Sequence, residues 1–255
     1  MTRAIDHAFF VELSDFARAA ISNALAAGLT TENKQTLGFD PVTEADRAAE
    51  RAMRAAIEQH FPDHGIWGEE YGMVRGDSAM RWSLDPVDGT RALICGLPSW
   101  AVLVGLLDRG EHVAGMIDLP AVGERLIAVD GRTIRDGVPV ATSKCRTIAD
   151  ARWSTTDPFL FDDAEFEAIA RVWAAAKVAR YGLDAMAYAR VATGDLDLVI
   201  ENKLMPHDID ALVAVVRGAG GHFGDWDGGA NFAQGRVIAA STEALYAETL
   251  ALLGE

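Results

Sequence analysis

Trp82-Ser83-Leu84 runs directly into Asp85-Pro86-Val87-Asp88-Gly89-Thr90, and this junction restricts the fold more than any other segment. An apolar strand must end where two carboxylates, three positions apart, enter a tight turn. Pro86 holds Asp85 in extended geometry. Gly89 permits a backbone conformation and a close approach that a side chain would block. Two carboxylates at one strand end repel each other and are costly to desolvate unless a cation lies between them. The spacing predicts a helix from Thr90, whose free N–H groups suit a phosphate. An acidic turn with a helix cap is the plainer alternative, since Asp, Pro and Gly cluster in turns.

The flanking texture sets the fold class. Ile5, Phe9, Leu13, Phe16, Ala20, Ala24 and Leu25 recur at helical spacing, which predicts one amphipathic helix over residues 3–28. Ala48, Ala52, Ala56 and Ile57 mark a second helix from Ala45 to His60, with Thr43 and Asp46 resembling its cap and acidic first turn. From Trp82 to Val140 short β-rich runs alternate with turn signals at Asp108-Arg109-Gly110, Leu119-Pro120 and Asp130-Gly131, which reads as an antiparallel meander. Beyond Lys144 strands and helices alternate. Strands are predicted at Ala151–Thr155, Val178–Tyr181, Leu196–Glu201 and Arg236–Ala240. Helices are predicted at Asp163–Ala176, Leu183–Thr193, Asp208–Gly218 and Thr242–Leu253. The whole reads as two packed α/β systems in one body, 1–145 and 146–255, without a flexible linker.

Composition narrows the partners. Of 255 residues half are hydrophobic, enough for a sizeable core, and Asp plus Glu exceed Lys plus Arg by 38 to 23, a formal charge of −15. Such a surface repels polyanions and argues against binding DNA or RNA. Met1–Phe10 lacks the apolar run of a signal peptide, and Ala92–Leu107 is too short and too broken by Gly96 and Pro98 to span a bilayer. The expectation is a cytoplasmic protein in which Cys95 and Cys145 are buried free thiols. The six tryptophans read as core and interface anchors. Gly218-Ala219-Gly220-Gly221 follows a helix rather than a strand, so it reads as helix termination and not as a dinucleotide loop.

Three further acidic clusters stand out: Asp40-Pro41-Val42-Thr43-Glu44-Ala45-Asp46, Gly68-Glu69-Glu70, and Pro206-His207-Asp208. Singly each has an ordinary reading, as a helix cap, a solvated face and a helix cap respectively. Taken together with Asp85-Pro86-Val87-Asp88-Gly89-Thr90 and Ala219-Gly220-Gly221, their order and spacing resemble the inositol-monophosphatase-like, metal-dependent phosphatases. Asp88-Gly89-Thr90-Arg91 followed by Gly96-Leu97-Pro98-Ser99-Trp100, together with Thr155-Thr156-Asp157-Pro158, Arg180-Tyr181-Gly182-Leu183-Asp184 and Asp197–Glu201, are most similar to the histidinol-phosphate phosphatase branch.

The resemblance implies a layered αβαβα sandwich, α+β to α/β in class, of the inositol monophosphatase and fructose-1,6-bisphosphatase type. It implies two or three Mg²⁺ ions held by Glu69, Asp85, Asp88, Asp208 and the Val87 carbonyl. Glu69 and Thr90 would activate the attacking water, with Asp46 holding the Thr90 hydroxyl. Asp88, Gly89, Thr90, Arg91 and Asp208 would face the phosphate end of the substrate. Glu201, Asp184 and Arg180 would face its organic end. The implied substrate is a small phosphomonoester, L-histidinol phosphate before inositol 1-phosphate or a sugar phosphate, and the implied assembly a homodimer. His207 stands where the family has Trp or Tyr, and Leu93, Leu183 and Ala185-Met186 also depart from the pattern. The departures spare every metal ligand and bear on the organic substrate. A catalytically silent scaffold on the same fold is the rival of another class.

Overall fold

The computed structural model describes residues 4–28, 31–33 and 41–254; Asp40 lies outside them. Helix α1 (His7–Ala27) starts where the Asp6 carboxylate accepts the Phe9 amide at 3.0 Å, inside the span that periodicity predicts. A short hairpin, β1 (Thr31–Asn33) with β2 (Pro41–Thr43), leads into α2 (Glu44–His60). That helix opens on a capping box. Thr43 Oγ1 accepts the Ala45 amide at 3.1 Å, and Asp46 Oδ2 accepts the Thr43 amide at 2.9 Å.

The first sheet comprises β3 (Gly65–Gly68), β4 (Gly72–Val74), β5 (Met80–Asp88), β6 (Ala101–Asp108), β7 (Glu111–Leu119), β8 (Glu124–Val129), β9 (Arg132–Arg135) and β10 (Val138–Pro139), with α3 (Thr90–Ile94) between β5 and β6. Their spatial order, β10-β9-β8-β7-β6-β5-β3-β4, makes β5 to β10 the expected meander. Strand β3 departs from it by pairing parallel to β5, and β4 folds back on β3.

The second sheet holds β11 (Arg152–Thr155), β12 (Val178–Tyr181), β13 (Leu198–Glu201), β14 (His222–Gly224) and β15 (Val237–Ala240) in the order β12-β11-β13-β15-β14. Helices α4 (Asp163–Ala175), α5 (Ala185–Ala192), α6 (Pro206–Gly218) and α7 (Glu243–Leu253) connect its strands or follow them.

Period-two alternation distributes β6 between two cores. Val102, Val104 and Leu106 face α1 and α2, packing with Phe9, Phe10, Leu13, Met53 and Trp82. Ala101 and Leu103 face the other way, toward Tyr188 of α5 and Leu212 of α6. The same middle core takes in Val199 of β13 and Ala239 of β15, so residues on both sides of position 145 build it. Beyond the second sheet, Trp153, Leu198, Ile200 and Ile238 pack under α4 and α7 through Ile169, Val172 and Leu245. The result is five layers: α1 and α2, a sheet, α5 and α6, a sheet, α4 and α7. Both faces of each sheet are covered, which explains why β6 reads as a continuous apolar run instead of an alternating one.

One expectation fails. Both cysteines are free, but Cys95 is exposed and Cys145 only half-buried. Cys95 is the residue at which the five-residue α3 ends, just before the loop to β6, and the short helix turns it away from the core.

Candidate active site

The site forms where β3 and β5 end side by side. Their parallel register sets Gly68 against Leu84, and the Glu69 amide donates to the Leu84 carbonyl at 3.1 Å. Glu69 therefore leaves its strand beside Asp85. In a regular strand residues three apart, such as Asp85 and Asp88, point to opposite faces. Here Asp85 pairs with Leu103 and Asp88 with Ala101, three steps on β5 against two on β6. This bulge follows from the sequence: Pro86 has no N–H to give the ladder, and Asp85 Oδ1 accepts the Val87 amide at 3.0 Å. The bulge brings the two carboxylates to one side.

Asp208 joins them from α6. Pro206 occupies the first turn and Asp208 Oδ2 accepts the Met205 amide at 2.7 Å, so Asp208 caps from the third position of the helix rather than from its N-cap. Oxygens of Asp85, Asp88 and Asp208 lie within 4.8 Å of one another. All are hard oxygen donors at a spacing that suits one or more divalent cations, and among these residues no thiolate or imidazole competes.

Thr90 Oγ1 lies 3.0 Å from the Val87 carbonyl and 3.2 Å from Asp46 Oδ1, two acceptors for one hydroxyl proton. Asp46 is itself fixed by the Thr43 hydroxyl, which donates to Oδ2 at 2.5 Å. Gly89 adopts φ +78°, and a Cβ there would lie 2.9 Å from Asp184 Oδ2. Asp184, also left-handed at φ +47°, does not cap α5 with its side chain; Asp88 Oδ2 accepts the Ala185 amide at 2.7 Å instead.

The charges are held against their preference. Burial, then the neighbouring Glu69 and Asp88, pushes Asp85 well above the usual carboxylate range. Burial, then Asp184 and Asp208, does the same to Asp88. Asp208, Asp184 and Asp46 are raised as well, each chiefly by burial. Two carboxylates about 4 Å apart repel by roughly 4 kcal/mol at an effective dielectric near 20. Such a cluster stabilises either protons or metal cations.

Glu69, Asp85, Val87, Asp88, Gly89, Thr90, Arg91, Asp184 and Asp208 line one cavity of about 470 Å³. A deeper chamber of about 230 Å³ shares Asp88, Thr156, Asp184 and Asp208 with it and contains Glu201, Tyr188 and Asn202. Asp46 stands behind Thr90. Arg180 lines neither space: it is exposed on β12, its guanidinium donating to the Ala179 carbonyl at 2.8 Å. His207 lines the larger cavity, with Nε2 3.5 Å from Asp208 Oδ1 and a buried Nδ1 without a partner.

Tyr188 and Asn202 of the chamber carry no signal in the sequence, and Thr156 is marked only as part of Thr155-Thr156-Asp157-Pro158. Thr156 donates to Glu201 Oε1 through its amide at 2.7 Å and its hydroxyl at 2.8 Å. Burial still pushes Glu201 up to about 8, against those two donors. The Tyr188 hydroxyl and Asn202 Oδ1 are buried without hydrogen-bond partners. The amide of Asn202 is oriented by its nitrogen, which donates to Glu165 Oε2 at 2.6 Å and the Leu160 carbonyl at 3.2 Å.

The sequence pattern of the inositol monophosphatase family matches residues 6–255. The chain belongs to this family. It is therefore a phosphatase, a phosphoric monoester hydrolase, of a family that is generally metal-dependent. This inositol monophosphatase relative is 42% identical over 223 residues to the bifunctional phosphatase IMPL2 of Arabidopsis thaliana, covering 82% of the chain but 64% of that longer protein. It is 32% identical over 259 residues to a histidinol-phosphatase of Streptomyces coelicolor, covering 95% and 94% of the two. Among solved structures, an inositol monophosphatase from Zymomonas mobilis superposes with a TM-score of 0.87 at 35% identity, over 99% of this chain and 100% of that one.

Proposed function

We propose that this phosphatase hydrolyses L-histidinol phosphate to L-histidinol and phosphate, a step of histidine biosynthesis, with Mg²⁺ as its metal. The observation that carries the reaction is the convergence of Asp85, Asp88 and Asp208 within 4.8 Å. The substrate is argued from the chamber beside them. Glu201, Asp184 and the bare Asn202 Oδ1 offer acceptors, a set suited to an ammonium and an imidazole N–H. The histidinol-phosphatase from Streptomyces coelicolor supports the same choice.

In this reading Glu69, Asp85, Asp88, Asp208 and the Val87 carbonyl hold two or three Mg²⁺. When bound there, the ions would supply charge neutralisation, a lowered pKa for water and stabilisation of the leaving oxygen. The Gly89 and Thr90 amides, with Arg91 nearby, hold the phosphate oxygens. Thr90 Oγ1, anchored by Asp46, orients the water, and Glu69 takes its proton. Asp184 and Glu201 hold the amine of the substrate. No side chain becomes phosphorylated, so positioning and charge stabilisation account for the rate.

The test is a steady-state panel of histidinol phosphate, inositol 1-phosphate and fructose 1,6-bisphosphate, run with Mg²⁺ and again after chelation. The expected result is a kcat/KM at least about tenfold higher for histidinol phosphate, roughly 1.4 kcal/mol of discrimination, and loss of turnover on chelation. Equal or higher kcat/KM for inositol 1-phosphate would install the second reading, which the 35% identity to the Zymomonas mobilis inositol monophosphatase favours. Absence of phosphate release with every ester would leave the silent scaffold.

A further inference from the structure

Glu50 has no part in the reaction as described, yet it is a fully buried carboxylate next to the site. Its oxygens are committed to the turn that follows Glu69. Oε2 accepts the Glu70 amide at 2.7 Å and Oε1 the Tyr71 amide at 3.2 Å. Arg54, one helical turn further along α2, donates to Glu50 Oε1 at 2.6 Å and to the Gly72 carbonyl at 2.5 Å. The residue before Glu69 is shaped for this carboxylate: a Cβ on Gly68 would sit 1.9 Å from Glu50 Oε1.

The spacing along α2 adds the second half. Asp46, Glu50 and Arg54 fall at intervals of four, on one helix face. Asp46 reaches Thr90, and Glu50 reaches the backbone that carries Glu69. One turn of rigid helix, about 6 Å long, therefore connects the supports of the two groups assigned to the attacking water. A buried ion pair is weak evidence for stability, because an apolar pair of similar volume often serves as well. What an apolar pair cannot do is accept two backbone amides and so fix a turn.

We propose that Glu50 is a positioning residue for Glu69, and that α2, through Asp46 and Glu50, sets the distance between Glu69 and Thr90. The proposal rests on Glu69 as the group that takes the proton from water. Two variants address it from opposite sides. Glu50→Gln keeps the volume and removes the charge; Gly68→Ala displaces the carboxylate without altering it.

With p-nitrophenyl phosphate as probe at saturating Mg²⁺, each variant loses about tenfold to a hundredfold in kcat, while KM stays within about twofold. In the metal-free protein the Glu70 and Tyr71 amides exchange hydrogen faster than in the wild type. A lowered Tm with kcat per folded molecule unchanged makes Glu50 merely structural and overturns the proposal. Unchanged exchange at both amides overturns it too. Glu69→Gln separates the two levels. If it keeps wild-type kcat, the role of Glu69 falls and the positioning with it. If it loses turnover while Glu50→Gln retains it, only the positioning falls.

Discussion

Asp88 shows how one side chain can serve chemistry against stability. Its Oδ2 accepts the Ala185 amide, a bond that an asparagine oxygen also accepts. Its charge, in contrast, is opposed by burial and by Asp184 and Asp208. Asp88→Asn is therefore expected to lower kcat by about 10³-fold or more, as removal of a group that stabilises transition-state charge does, while Tm of the metal-free protein stays level or rises. Phosphate release and a thermal melt on the same sample check both halves; retained turnover would reject Asp88 as a metal ligand. Asp85 and Asp88 stood out in the sequence because they sit in a turn whose Pro86 and Gly89 announce an unusual backbone, whereas Asp208 alone read as a helix cap and joined them only through the resemblance. Tyr188 did not stand out. It lies in an apolar helix where a tyrosine is an ordinary core residue, and only the fold reveals that its buried hydroxyl has no partner and lines a chamber.

At the scale of elements, α1, α2, the meander and the eight strand and helix segments expected beyond Lys144 stand within a few residues of their expected bounds, because each carries a sustained pattern or a clear cap. Strands β3 and β4 were silent. They are four and three residues long, hold three glycines between them, and gain their identity from pairing with β5 and each other rather than from their own composition. That pairing places Glu69, so the part of the site least legible in sequence is a register. The turn from β5 into α3 is the opposite case. Gly89 meets two requirements there, a left-handed φ of +78° and room for Asp184. Gly89→Ala is expected to cost about 1 kcal/mol for the backbone alone, seen as a lower urea midpoint. The added methyl also drives the Asp184 carboxylate away, so KM for histidinol phosphate is expected to rise more than kcat falls. A fall in kcat with KM unchanged would show that Asp184 does not hold the organic end.

Over the whole molecule the acidic centre makes stability depend on pH and on metal together. Asp46, Asp85, Asp88, Asp184 and Asp208 all titrate above their unfolded values in the metal-free fold, and Glu201 rises to about 8. A carboxyl raised in the folded state binds its proton more tightly there than in the unfolded chain. Its contribution is full below the unfolded value, near pH 4, and is lost as pH rises through the folded value. Other groups work the other way: exposed Glu32 is lowered beside Arg47, and burial lowers His64 and His222. At Asp197 the upward push of burial is outweighed by Arg152 and Ser143, and at Asp225 by the amides of Gly229, Asn231 and Asp227, so both contributions are lost as pH falls below the ordinary carboxylate range. The metal-free protein is thus expected to be most stable in mildly acidic buffer and to lose Tm steadily toward pH 8. Mg²⁺ binds the ionised carboxylates in place of protons, so its stabilisation grows with pH as proton competition falls. Melting curves at several pH values, with chelator and with Mg²⁺, measure the two slopes. A chelated protein whose Tm rises from pH 5 to pH 8, or a Mg²⁺ shift as large in acid as at pH 8, would mean that these carboxylates are not the cation's binding groups.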